Sequence, residues 1–189
     1  GNKREYILFT YSVNGAKIYF FKDKISYVLI EKFDDEIQDN ILLPTSDTIG
    51  WRVDLAFQNS NKDVIVSGID PLSGYMNYYL NGDANGVLQV KNFQYIEYKN
   101  IYPNVDILFY GNKQSGLKYD FIVHPEGNAK DIKLAYQGID LAKIDQSGNL
   151  EVSFWKYKLI ENIPLAYTSG LKSNISQTVN VKYVLSGNS

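Results

Sequence analysis

The chain has 189 residues, a formal net charge of −2 and a pI of about 5.4, so it carries no basic field to draw it to nucleic acid or to an anionic membrane. It contains no cysteine, which excludes disulfides, thiolate metal sites and a cysteine nucleophile. At 44% hydrophobic and 21% charged it has an ordinary globular composition, long enough to bury a core without covalent staples, and no apolar run approaches the ~18 residues of a membrane span. Gly1 reads as the scar of a removed tag, so a signal peptide is expected in the precursor.

The 16 Tyr and 9 Phe tilt the composition towards β-structure. Taken in order, Tyr6–Val13 and Ala16–Phe21 flank Asn14-Gly15, the residue pair that a type I′ hairpin turn requires. Ile25–Glu31 adds a third strand of a meander. Lys32–Gly50 has no period and reads as a long exposed loop, with a short helix at Asp34–Asn40 as its one alternative. In Trp51–Gln58, Trp51, Val53, Leu55 and Phe57 alternate with Arg52, Asp54 and Gln58, which face out. Val64–Ser67 and Tyr75–Leu80 read as two strands separated by Gly68, Asp70-Pro71 and Ser73-Gly74. Val87–Tyr98 is long enough to bend within a sheet. Ile132–Tyr136, Leu141–Ile144, Leu150–Phe154, Lys158–Glu161, Pro164–Thr168 and Ser176–Leu185 follow the central hairpin. About a dozen short strands with turn signals at near-regular spacing predict an all-β fold, an antiparallel β-sandwich with little helix, as a single domain over residues 1–189.

The central hairpin is Tyr98–Pro125. Val105, Ile107 and Phe109 alternate on one arm, and Leu117, Tyr119, Phe121 and Val123 on the other. Pairing Phe109 with Leu117, Ile107 with Tyr119 and Val105 with Phe121 puts the large apolar groups on one face. The same register sets Asp106 directly opposite Asp120, where like charges are unfavourable. Two close carboxylates can hold a hard cation or divide acid and base roles, and ~5 Å between them would suit a retaining glycosidase. The structural alternative is that each accepts N–H bonds or pairs with a lysine.

Other chemistry is thinner. Asn81-Gly-Asp-Ala-Asn-Gly86 partly matches a calcium loop through Asn81, Asp83 and Asn85, but position one is Asn and position twelve is Asn92, so two charged ligands are missing. A strand-connecting turn is the favoured reading, and no metal or other cofactor is expected. His124 is the only histidine, precedes Pro125 and reads as a strand-end residue. No G-x-S-x-G elbow and no phosphate-cradling glycine loop occurs. Tyr75, Tyr78, Tyr79, Tyr95, Tyr98, Tyr102, Trp155 and Tyr157 could form a sugar-stacking platform or fill a β-core, and the core is favoured. Asp106, Asp120, Tyr98, Tyr102 and Trp155 are therefore the ligand-binding candidates.

Three spaced motifs carry a resemblance: Tyr75-Met-Asn-Tyr-Tyr-Leu-Asn-Gly-Asp83, Tyr95–Gly111 with its Tyr-Pro-Asn-Val-Asp segment, and Leu117-Lys-Tyr-Asp-Phe-Ile-Val-His-Pro125. They resemble an uncharacterised N-terminal domain found ahead of SBBP-type β-propeller repeats in large secreted bacterial surface proteins. Two positions depart from that pattern: Asn104 and Glu126 stand where the family usually has Gly. The resemblance implies an exported, non-catalytic structural or adhesion module, extracellular or on the cell surface. Its expected partners are a surface glycan or protein and the following domains of the same polypeptide, with no nucleic acid and no membrane insertion. The alternatives are a carbohydrate-binding β-sandwich module and a glycan-acting hydrolase using the aspartate pair.

Overall fold

In the structure, a computed structural model that describes residues 6–13, 15–32, 48–78, 87–112, 116–170 and 173–186, the alternating segments form antiparallel strands. The loop expected at Lys32–Gly50 is corrected at both ends, where Lys32 closes one strand and Thr48–Gly50 open the next; its residues 33–47, with the alternative short helix, and the loop at 81–86 lie outside the described residues. The chain is all-β, with several antiparallel sheets and, among the described residues, no closed barrel. Among the same residues the helical content is one 3-10 turn, Ala129–Asp131. The chain falls into two compact units, residues 1–136 and 137–189.

In the first unit, β1 (Phe9–Val13), β2 (Ala16–Phe20), β3 (Lys24–Lys32) and β4 (Thr48–Phe57) form an antiparallel meander. Further along the chain come β5 (Ile65–Tyr78), β6 (Val87–Tyr102), β7 (Val105–Asn112) and β8 (Gly116–Val123), a second meander. The strand after them, β9 (Leu134–Gln137), returns to the first sheet beside β4. Cross-strand columns supply the core of the first sheet: Ile18, Tyr27 and Val53 in one row, Phe20, Ile25 and Leu55 in the next, all buried. The second sheet answers with Tyr98 beside Ile107 and Ile96 beside Phe109. Edge-to-face contacts join the two, with Phe20 5.3 Å from Phe109 and Phe57 5.5 Å from Tyr98. Such pairs add ~0.5–1.5 kcal/mol each beyond the area they bury.

Two further expectations are corrected here. The predicted strands Val64–Ser67 and Tyr75–Leu80 are one strand, β5. It lies at the edge of its sheet, where proline is tolerated. The turn formers between them make an irregularity rather than a break: the register with β6 shifts between Pro71 and Tyr75, and Asp70 (φ 52°) and Gly74 (φ 95°) take the left-handed conformation.

The second correction is the register of β7 on β8. Asp106 pairs with Ile122 and Asp120 with Leu108, two residues away from the expected match. A two-residue slide keeps every side chain on its face, so Val105, Ile107 and Phe109 still share a side with Tyr119 and Phe121. The first three are fully buried, whereas Leu117, Tyr119 and Phe121 are half-buried because β8 is an edge.

Two tight turns complete the frame. Pro103-Asn104 closes the β6–β7 hairpin with Asn104 at φ 56°, and His124-Pro125-Glu126-Gly127 turns the chain after β8 with Glu126 at φ 70° and Gly127 N–H bonded to His124 C=O at 2.9 Å. Proline followed by positive φ is the type II pattern, which favours Gly or Asn at the second position. Asn104 is tolerated there and Glu126 is strained. A Cβ on Gly127 would lie 2.5 Å from the Asn104 carbonyl oxygen, so the two turns also press on each other.

Two measurements follow. Phe109→Ala should destabilise by about 3–5 kcal/mol in urea denaturation, and Phe121→Ala by clearly less; equal losses would contradict the edge position of β8. Glu126→Gly should raise stability by about 0.5–1 kcal/mol, the left-handed penalty of ~1–2 kcal/mol less the entropy cost of a glycine.

Candidate functional site

Alternation turns Asp106 to the outer side of β7, away from Val105 and Ile107, yet it is only 5% exposed. Two elements cover it. Between Tyr98 and Tyr102 the β6–β7 register shifts, and the bulge residue Asn100 adopts φ 53°. That conformation aims the Asn100 N–H at Asp106 Oδ1, 2.7 Å away. From the other side comes His124, whose Nε2 lies 2.7 Å from Asp106 Oδ2. An ionised carboxylate can only accept, so Nε2 carries the proton. The His124 backbone N–H is itself bonded to Asn104 C=O at 2.9 Å. Both oxygens of the buried carboxylate are thus engaged by groups that hold three pieces of backbone together: the β6 bulge, β7 and the start of the type II turn.

Asp120 has a different environment. It is exposed, sits across from Leu108 and accepts from the Tyr110 hydroxyl at 3.1 and 3.2 Å. The direct opposition expected of the two aspartates is therefore corrected: they are diagonal, two positions apart along the ladder.

Of the aromatic candidates, Tyr98 and Tyr102 lie in the core, at 0% and 2% exposure. The Tyr98 hydroxyl donates to Phe21 C=O at 2.6 Å, and burial, with the nearby Asp23 charge, pushes its ionisation far above the usual range. The Tyr102 hydroxyl donates to Lys133 C=O at 2.8 Å, and burial raises it as well. Trp155 is exposed at the tip of a hairpin. Tyr79, Asn81, Asp83 and Asn85 lie outside the described residues. Among the described residues no group of three or more His, Cys, Asp or Glu is placed to hold a metal ion, and no helix is long and apolar enough to cross a membrane.

A polar cluster on the outer face of the first sheet has Asp54 at its centre. Asp54 accepts from Ser26 Oγ at 2.6 Å and from Arg52 Nε and Nη2 at 2.6 and 2.9 Å, with Lys24 Nζ 3.3 Å away. Burial pulls its carboxyl upward, but the Arg52 and Ser26 hydrogen bonds and the Arg52 and Lys24 charges outweigh it and hold the carboxyl below the ordinary value. The signal for this cluster lay in the alternation that turned Arg52 and Asp54 to the same face. A shallow depression of about 210 Å³ beside it is lined by Ile7, Tyr19, Phe21, Ser26, Val28 and Arg52. A larger one, about 450 Å³, lies over Val13, Ala16, Lys17, Val28 and Ile30. Neither is lined by Asp106, Asp120, His124 or Trp155.

These environments separate the acids by experiment. Asp106→Ala should cost about 1.5–3 kcal/mol, because it orphans the part-buried Asn100 N–H and removes a buried carboxylate acceptor, whereas Asp120→Asn should stay within about 0.5 kcal/mol. Equal effects in chemical denaturation would contradict the assignment. Because the Asp54 carboxyl is depressed in the folded chain, its stabilisation is present above the ordinary carboxylate range and is lost as pH falls through the depressed value. Asp54→Asn should therefore lower Tm at pH 7, and the gap to wild type should narrow below about pH 4. A gap unchanged down to about pH 2 would contradict this.

A family model described as "Domain of unknown function (DUF7948)" matches residues 1–189. No curated protein and no solved structure matches the chain.

Proposed function

We propose, for a chain that belongs to the DUF7948 family of domains of unknown function, that it is a non-catalytic structural or adhesion module of a secreted or surface-exposed bacterial protein. In this reading it stands ahead of SBBP-type β-propeller repeats in a longer polypeptide. The observation that carries the non-catalytic part is the employment of Asp106. A carboxylate available for acid–base or nucleophilic work needs an oxygen facing a substrate. Both Asp106 oxygens are instead bonded to Asn100 and His124, and the residue is buried. Asp120, its expected partner, is diagonal to it on an exposed edge strand.

The exported, adhesive part draws support from the resemblance of the Tyr75–Asp83, Tyr95–Gly111 and Leu117–Pro125 motifs. Such a module contributes a rigid surface rather than a reaction. The test is protease shaving of intact cells that encode the protein, followed by immunoblotting for this domain. The domain should be lost from intact cells at the same protease dose that spares a cytoplasmic marker. Protection until the cells are lysed would overturn the proposal, as would release of reducing ends from polysaccharide by the purified domain.

A further inference from the structure

In the second unit, β10 (Leu141–Ile144), β11 (Leu150–Phe154) and β12 (Tyr157–Glu161) form a three-stranded antiparallel sheet. Leu150, Val152 and Phe154 are its buried residues. The β11–β12 hairpin is closed by the Phe154–Tyr157 pair, which leaves a two-residue loop, Trp155-Lys156. The turns favoured for loops of this length have positive φ at the first position and take Gly, Asn or Asp there. This one has Trp155 at φ 49° and 53% exposed. A bulky residue in that region is an outlier, and about half of its surface stays exposed. Strained backbone of this kind persists where its surroundings over-determine it, and it concentrates at binding sites.

The surroundings here do over-determine it. Asp140 Oδ2 accepts the Trp155 N–H at 2.5 Å, and the Asp140 N–H is bonded to Ser153 C=O at 2.8 Å. The Lys156 ammonium stands 4.4 Å from the Trp155 ring centroid, and the Tyr157 ring lies 5.9 Å away, tilted by 51°. The indole stands at the loop tip with the Lys156 ammonium over its ring and the Tyr157 ring beside it, while Asp140 holds its backbone.

We infer that the Trp155 hairpin tip is a saccharide-binding site for a neutral polysaccharide built of pyranose units. A pyranose ring offers an apolar C–H face to an aromatic ring and a rim of hydroxyls to hydrogen-bonding groups. Lys156 and Tyr157, the two residues beside the indole, carry an ammonium and a hydroxyl suited to that rim. Lys156 and Asp140, which each contact Trp155, carry opposite charges that cancel, which suits hydroxyls better than an acidic sugar or a phosphate. The size of the tip also selects the ligand: a two-residue loop cannot supply the ~800 Å² per partner of a standard protein interface, but it matches one or two sugar rings.

This site deepens the adhesive reading by giving the module a target, and the two fail separately: protease shaving tests export, while binding is measured on the purified chain. Affinity electrophoresis in gels containing hydroxyethylcellulose, xylan, laminarin, glycogen, mannan or glycol chitin should retard the wild-type chain in at least one. Trp155→Ala and Trp155→Gly should weaken that retardation at least tenfold, and Trp155→Phe should keep part of it. Trp155→Gly should melt no lower than wild type, because glycine fits the left-handed position, so its loss of binding cannot be a loss of folding. Saturable quenching of tryptophan fluorescence by oligosaccharides of the retarding polymer, measured in Trp51→Phe to leave Trp155 as the one tryptophan, should agree. Retardation by none of the six polymers, or equal retardation of wild type and Trp155→Gly, would overturn the inference.

Discussion

The first unit depends on the placement of one phenol. Tyr98 is fully buried, and a hydroxyl in a dry core must find an acceptor or cost several kcal/mol. It finds the carbonyl of Phe21, just past the end of β2 in the opposite sheet. The ring of the same residue is fixed by Phe57 from that sheet and by Phe109 from its own. Apolar packing alone tolerates sliding of one sheet over another. A hydrogen bond to a single backbone atom does not, so Tyr98 sets where the two sheets meet and leaves Phe20, Ile25 and Leu55 to fill the space beside it.

Asp106 applies the same logic at the edge of that unit. A bulge, a two-residue hairpin turn and a type II turn converge there, each with backbone in a conformation that is locally unfavourable. Asn100, Asn104 and Glu126 all have positive φ. The buried carboxylate with its Asn100 and His124 bonds offsets that strain, and the Asn104 C=O bond to His124 N–H closes the arrangement. The two positions that depart from glycine, Asn104 and Glu126, keep the turn geometry that glycine would have served, at different energetic cost. The strain at Trp155 has a different character, since it is held by Asp140 and presents a side chain rather than hiding one.

Strand faces were legible in the sequence because period-two alternation is a local property. Val53, Leu55 and Phe57 fall inward and Arg52 and Asp54 outward as their spacing dictates. Register was not legible, because a two-residue slide of β7 along β8 changes no face and so leaves no trace in the pattern. It is decided by how far the strands run into the turn, to Asn112 and Gly116. Gly111 sits within that extension, where a Cβ would meet the Gly116 carbonyl oxygen at 2.5 Å and the Tyr11 hydroxyl at 2.9 Å. Gly111 is thus a close approach within the ladder, paired with Leu117, and not part of the turn. The strand break expected at Pro71 failed for a related reason: nothing local distinguishes an edge strand, which tolerates proline, from a central one. The role of His124 was hidden for the same cause as the register. Its partner Asp106 is 18 residues away in sequence, and no local pattern joins them. The two meet because the ladder sets Asp106 opposite Ile122, which precedes His124 by one full pleat on the same side of the strand.

The order of strands in the first sheet carries a consequence in time. β9 docks beside β4, but the whole of the second meander is made between them in the chain. The Tyr102 hydroxyl waits for the carbonyl of Lys133, and the Gln58 N–H for the same carbonyl, 2.9 Å away in the finished fold. Pairings this far apart in sequence form late, because the loop between them must close before any contact rewards it. A chain emerging from its N-terminus can therefore build the β1–β4 meander early but cannot cover its β4 side until β9 (Leu134–Gln137) is free. Until then the β4 edge stays open, and that interval is when a binding chaperone, or a neighbouring copy of the same chain, has an exposed strand to pair with.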